Sequence, residues 1–307
     1  NCIYCQLGRT VPLTNERREY FPREDILREA QNKLASHQPG EIDWVTFVGS
    51  GEPALHTSIG WLIDKVKTIS DLPVAVITNG ALLYLPQVRH DLLAADAVLP
   101  SLDAGTAKLY RQINRPHPDI TFECFLSGLI TFRKEYQGKL WIEVMLVRDL
   151  NDTDEALLGI ADTLAKIGPD EVHLNLPTRP PVETWVQPPD EEGLLRATAI
   201  LGDIAKIVHP VDGTFDLRGY DDVVDAIIGL IKRHPMRQDQ IEKTLSEWGC
   251  EQVDQSLAEL AASGQAKIVE RYGTRFWSAS PSFYPPESQS QATSPKSLEI
   301  RRTKDGT

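Results

Sequence analysis

Cysteine is scarce in this sequence, and methionine scarcer: four and two among 307 residues. Four cysteines, two of them in one short motif, do not make a disulfide framework. The small disulfide-stapled class is excluded, and a reducing cytoplasmic setting is expected. Long apolar runs are also missing. None approaches the ~20 residues of a membrane helix, so no membrane partner is expected. No secretory signal is visible. Positive charge is in short supply, with 32 Lys/Arg against 44 Asp/Glu and a net charge of −12. Residues 1–218 hold 21 Lys/Arg and 31 Asp/Glu, so the largest region is the most acidic. Such a balance argues against a polyanionic substrate such as RNA, because phosphate contacts need a basic surface. Hydrophobic residues make up 41%, enough core for one large domain and one small one.

From Trp44 to Leu176 a short apolar run is followed repeatedly by a longer amphipathic stretch. The runs are Trp44–Val48, Val74–Thr78, Ala97–Ser101, Trp141–Val147 and Val172–Leu176. Nearly continuous apolar character marks parallel strands covered on both faces. Ile59–Ile69, Thr121–Tyr136 and Asp154–Ile167 read as the intervening helices. The alternation predicts βαβ units and an α/β fold. Each run is followed by polar or turn-forming residues: Gly49–Pro53, then Asn79, then Ser101 and Asp103, then Arg148–Asn151, with Asn175 at the end of the fifth. In barrel folds the C-terminal strand ends carry the chemistry. The bland alternative is that Gly, Asn, Asp and Pro are simply turn residues.

Two stretches carry specific chemistry. The chain opens NCIYCQLG, a CxxC pair at Cys2 and Cys5 with Tyr4 before the second thiol. A lone CxxC is half a zinc site, a redox pair or part of an iron–sulfur ligand set. Cys124 and Cys250 stand alone and read as small core residues. The second stretch is WVTFVGSGEPAL, an apolar run ending abruptly in Gly49-Ser50-Gly51-Glu52-Pro53.

Together the two stretches resemble the radical S-adenosylmethionine (SAM) superfamily, with its CxxxCxxC cluster motif and a Gly-Gly-Glu-Pro-like SAM loop. Ser50 departs from that loop's usual first glycine. The first cysteine of the motif would lie four positions before Cys2, and there is no initiator Met, so the chain is expected to be a fragment cut within the motif. The resemblance extends to about residue 210 and is closest to a branch joining QLGRT, GSGEP, TNG, PSLDAG and INRPH, similar to the wybutosine-synthesis enzymes that act on tRNA. It implies a partial (β/α)6 TIM-like barrel whose first strand precedes the cysteine loop. It implies a [4Fe–4S] cluster held by Cys2, Cys5 and the upstream cysteine, with SAM on the open iron. Reductive cleavage of SAM would give a 5′-deoxyadenosyl radical that abstracts hydrogen, with the electron supplied by a donor such as flavodoxin or ferredoxin. Tyr4 would pack near the cluster or adenine. Gly49, Gly51, Glu52 and Pro53 would offer backbone carbonyls to the SAM ammonium, since glycine permits close approach. Asn79, Ser101 and Asp103 would reach ribose and other polar groups, and Asn175 the adenine. Arg111 and Arg115 would hold a carboxylate or simply sit in surface ion pairs.

Residues 208–218 read as a linker, dividing a barrel over residues 1–210 from a small unit over 219–281. The small unit reads as three helices and a hairpin, a pattern that resembles a winged helix-turn-helix. Residues 282–307 are rich in Ser, Pro and Gln and are expected to be disordered. In a winged helix the third helix usually enters the DNA major groove. Here that helix, EQVDQSLAELAAS, carries Glu251, Asp254 and Glu259 and no basic residue. DNA binding is therefore disfavoured, and a peptide or protein partner fits better. Two other functions compete with the radical enzyme of unassigned substrate: a CxxC metal- or redox-sensing regulator with a DNA-binding winged helix, and a tRNA-modifying radical SAM enzyme.

Overall fold

A computed structural model describes residues 1–208, 222–232, 234–246, 249–271, 273–279 and 298–301, together with Phe215, Leu217 and Tyr220. After an irregular N-terminal loop comes helix α1 (Arg23–Ala35). Six strands then alternate with helices: β1 (Trp44–Phe47), α2 (Ile59–Ile69), β2 (Val74–Thr78), α3 (Pro86–Leu92), β3 (Ala97–Pro100), α4 (Ala107–Ile113), α5 (Phe122–Glu135), β4 (Lys139–Met145), α6 (Asp154–Ile167), β5 (Glu171–Asn175), α7 (Glu191–Leu201) and β6 (Ala205–Ile207). All neighbouring pairs from β1 to β6 are parallel and in chain order. A doubly wound sheet would reverse its order at a switch point; unbroken order winds every helix onto one face, as in an arc of barrel.

Local chemistry explains the boundaries. Thr121 and Thr153 cap α5 and α6 by accepting the amides of Cys124 and Ala156, and Asp190 caps α7 by accepting that of Gly193. Gly168 ends α6 in the left-handed conformation at φ 69°. The helices bury one continuous core against the outer face of the sheet, including Leu62, Val76, Val98, Phe125, Leu140, Ile160 and Leu174.

The expected α/β architecture is present, and two features differ from the sequence reading. Continuous apolar character predicted coverage on both faces of every strand. β4 and β5 instead alternate between buried and half-buried residues, because their inner face looks into an incompletely closed arc. β6 carries too few residues for a periodic signal. It adds a sixth strand beyond the five expected.

The small unit contains α8 (Val223–Ile231), β7 (Met236–Arg237), α9 (Gln238–Thr244), α10 (Cys250–Ala262), β8 (Ala266–Arg271) and β9 (Thr274–Ala279). Its strands form a separate antiparallel sheet ordered β7-β9-β8 over its own core, including Ile227, Leu257 and Trp277. Most of the expected linker over 208–218 and most of the tail from 282 onward lie outside the described residues. Within that tail Leu298–Arg301 form β10, antiparallel to β1 at the sheet edge.

One close approach matters for the site. A Cβ added at Gly105 would stand 2.0 Å from the carbonyl carbon of Gly159, so the segment after β3 lies directly on the backbone of α6. Gly105→Ala must push the two backbones apart. Urea denaturation is expected to show a loss of about 3 kcal/mol or more. A loss under about 1 kcal/mol would mean that the contact relaxes freely.

Candidate functional site

The cysteine loop has no regular structure, so its backbone bonds must come from elsewhere. Cys5 N donates to Cys2 O at 3.1 Å, closing a turn between the two thiols. Ile3 N donates to Ile113 O at the end of α4. From the segment after β5, Glu183 N donates to Ile3 O and Val182 N to Cys5 O. Ile3 itself is fully buried among Ile113, Val147 and Val186. Each residue from Cys2 to Cys5 is thus tied down by its backbone or its side chain.

The centre of this arrangement is Asp103, only 2% exposed. Its Oδ2 accepts from the Tyr4 hydroxyl at 2.6 Å and from Asn114 Nδ2 at 2.5 Å. Its Oδ1 accepts from Met145 N at 2.7 Å. Asn151, completely buried, donates to the carbonyls of Asp103 and Met145 and accepts from Val147 N. Burial pushes the Asp103 carboxyl above its ordinary range, against the opposing pull of its three donors. Burial, with Asp103 and Cys2 nearby, pushes the Tyr4 hydroxyl well up. Burial likewise raises the Cys2 thiol.

A second carboxylate organises the loop after β1. Glu52 Oε1 accepts from Ala54 N at 2.9 Å and from Thr78 Oγ1 at 2.6 Å; Oε2 accepts from Asn79 N at 2.7 Å. Ser101 N donates to Thr78 O, which links the ends of β2 and β3. The carbonyls of Glu52 and Pro53 accept from Leu55 N and His56 N. Among the described residues no backbone hydrogen bond uses the carbonyls of Gly49, Ser50 or Gly51.

Several of the expected SAM contacts also have protein partners. Both Asp103 oxygens accept from the cysteine loop, Asn114 and β4. The carbonyls of Glu52 and Pro53 close the turn at Pro53–Leu55, and the Glu52 side chain ties β1 to β2. Tyr4 spends its only hydroxyl proton on Asp103. Gly49, Gly51, Asn79, Ser101 and Asn175 all stand at C-terminal strand ends, as the strand reading required. Arg115 pairs with Glu183 at 2.5 Å, the surface ion-pair alternative. Cys124 is half-buried on α5, and His173 pairs with Glu171 within β5. Asn114 and the 182–186 segment were missed. Asn114 sits inside the INRPH stretch, but nothing in its spacing marks it as a partner of Asp103.

Cys2 and Cys5 are free thiols, half-buried, on one turn. Soft sulfur donors suit an iron–sulfur cluster, and Asn114 Nδ2 lies 3.7 Å from Cys2 Sγ as a second-sphere donor. The residues present fit two corners of such a cluster. Among the described residues no group of three or more His, Cys, Asp or Glu is placed to hold a metal ion by itself.

Burial raises the Glu52 carboxyl above its ordinary value, so the folded chain holds that proton more tightly than the unfolded chain. Stability contributed by Glu52 must then fall as pH rises from about 4.3 toward the raised folded value. Denaturation of the wild type and Glu52→Gln at pH 4 and pH 7 is expected to show a smaller wild-type advantage at pH 7. An advantage that grows with pH would mean that the three donors outweigh burial.

The Radical SAM superfamily model matches residues 1–161, which include both the cysteine loop and the Gly49–Pro53 loop. A UPF0026 protein of Methanocaldococcus jannaschii is 34% identical over 80% of this chain and 78% of its own length. A second UPF0026 protein, from Helicobacter pylori strain J99, is 29% identical over 78% of this chain and 77% of its own. Among solved structures, a domain of pyruvate-formate lyase-activating enzyme from Bacteroides vulgatus is 22% identical, covering 54% of this chain and 98% of that one, with a TM-score of 0.42. That likeness is distant, so the assignment stands on the sequence matches. With half of the chain matched across both loops, the protein belongs to the radical SAM superfamily.

Proposed function

We propose that the protein is a radical SAM enzyme that binds a [4Fe–4S] cluster through Cys2, Cys5 and a third cysteine four positions before Cys2, outside this sequence. The observation that carries the reading is convergence at one end of the sheet. The loop presenting both thiols is pinned to the C-terminal ends of β3 and β4, while Gly49–Gly51 leave their carbonyls unused at the end of β1. The chemistry that such a group would supply when bound is one electron to SAM, whose C5′–S bond would break to give methionine and a 5′-deoxyadenosyl radical. Everything else falls to the chain. Cys2 and Cys5 hold two irons. The carbonyls of Gly49 and Gly51 accept from the SAM ammonium. Asn79, Ser101 and Asn175 supply polar contacts along the strand ends. The electron comes from a small reductant protein such as flavodoxin or ferredoxin, and such a reductant implies a cytoplasmic enzyme. Among the described residues no helix is long and apolar enough to cross a membrane.

The small unit is read as a winged helix that engages a peptide or protein. Its third helix is α10, with Glu251, Asp254 and Glu259 and no basic residue to meet phosphates. Titration of the protein against random duplex DNA is expected to show no salt-dependent binding at micromolar concentration. Steeply salt-dependent binding would support the regulator reading instead.

A Cβ at Gly51 would meet no protein atom within 4 Å, and the position does not require a positive φ. Gly51→Val should therefore change stability by no more than about 0.5 kcal/mol. In the intact protein it is expected to keep its iron and lose SAM binding and 5′-deoxyadenosine formation. Normal turnover in the variant would refute the loop assignment, and stoichiometric zinc without iron in the wild type would refute the cluster.

A further inference from the structure

We propose that Asn114 is a positioning residue for the Cys2 thiolate and sets the reduction potential of the cluster that Cys2 would ligate. This rests on the cluster reading above. Asn114 is the C-cap of α4, on the platform that also receives Ile3 N through the carbonyl of Ile113. Its Nδ2 lies 2.5 Å from Asp103 Oδ2 and 3.7 Å from Cys2 Sγ. An amide nitrogen carries two protons, so both contacts can be made at once. The Tyr4 hydroxyl also lies within reach of Cys2, but it has a single proton, given to Asp103 at 2.6 Å. The carboxylate thus fixes the rotation of the Asn114 amide, and the second N–H is left directed at sulfur.

Two observations argue that fold stability alone does not explain this residue. Among the described residues Asn114 Oδ1 is buried without a hydrogen-bond partner, a desolvation cost that an apolar residue of the same shape would not incur. The next residue, Arg115, adopts a left-handed backbone at φ 44°, which a non-glycine residue rarely takes. Both features cost stability that an apolar, right-handed segment would keep.

The chemical consequence has a definite sign. One-electron reduction makes a thiolate-ligated cluster more negative, with no atom transferred. A hydrogen bond to ligand sulfur stabilises the more negative form and raises the potential. Losing the bond should move the potential downward.

The test uses the intact protein with all three motif cysteines, reconstituted anaerobically. Potentials are read by mediated dithionite titration followed by electron paramagnetic resonance. Asn114→Leu keeps the approximate shape and removes both donors. It is expected to shift the reduction equilibrium on the order of tenfold toward the oxidised form, about 59 mV for one electron. Asn114→Gln, which keeps the amide, is expected to lie near the wild type. An unchanged or higher potential in Asn114→Leu overturns the proposal. Equal shifts in both variants do so too, because they would reflect packing alone. If Asn114→Leu does not fold, Asn114→Ser, too short to reach the sulfur, is read in the same way. A wild type that binds no iron refutes the cluster reading itself; iron bound at an unaltered potential refutes only the role of Asn114.

Discussion

The Asp103 carboxylate is the interaction on which the site depends. Three donors from three parts of the chain meet on it: a side chain between the two cysteines, one at the end of α4 and the backbone amide of Met145. None is a cation. Hydrogen bonds to a charged group contribute roughly 1.5–3 kcal/mol each, while burial of an unpaired carboxylate works against them. The balance leaves its proton affinity raised. That is a poor way to gain stability. It is an effective way to fix geometry, because moving any one of the three partners strands a buried oxygen.

The same logic repeats at Glu52, and the two carboxylates divide the mouth of the arc between them. Glu52 joins the ends of β1 and β2; Asp103 joins β4, α4 and the cysteine loop. Ser101 N on Thr78 O connects the two halves. Strand ends are where ladder hydrogen bonds run out, so backbone groups there need partners from side chains. Glu52 after β1 and Asp103 after β3 supply them. The side chains with the clearest polar signature in the sequence are therefore largely spent on the frame. The glycines, which have no side chain to spend, leave their carbonyls available.

This explains what was legible in the sequence. The strands and main helices were readable because periodicity and caps are local: α2 and α6 begin and end where the apolar pattern does. The cysteine pair and the Gly49–Pro53 loop were readable as motifs. β6 was not, because three residues carry no period. Nor were the roles of Asp103 and Asn114. The bond from Tyr4 to Asp103 spans 99 residues, and sequence spacing says nothing about which strand ends the fold brings together. An acidic residue after a strand looks the same whether it faces a ligand or a neighbouring loop.

The segment 182–186 links the cysteine loop to the small unit. It has no helix or strand of its own, yet its amides hold Ile3 and Cys5 from the side opposite α4. Ordering an irregular backbone costs about 1–2 kcal/mol per residue. Part of what offsets that cost comes from the small unit: Arg271, at the end of β8, donates to Val186 O at 3.0 Å, and Val186 packs against Ile3. The hairpin therefore braces the loop that braces the thiols. A brace is not yet a switch, since coupling requires two arrangements that both ends bias. It does mean that a partner engaging the hairpin meets the chain two contacts away from Cys5, through Arg271 on Val186 and Val182 on Cys5.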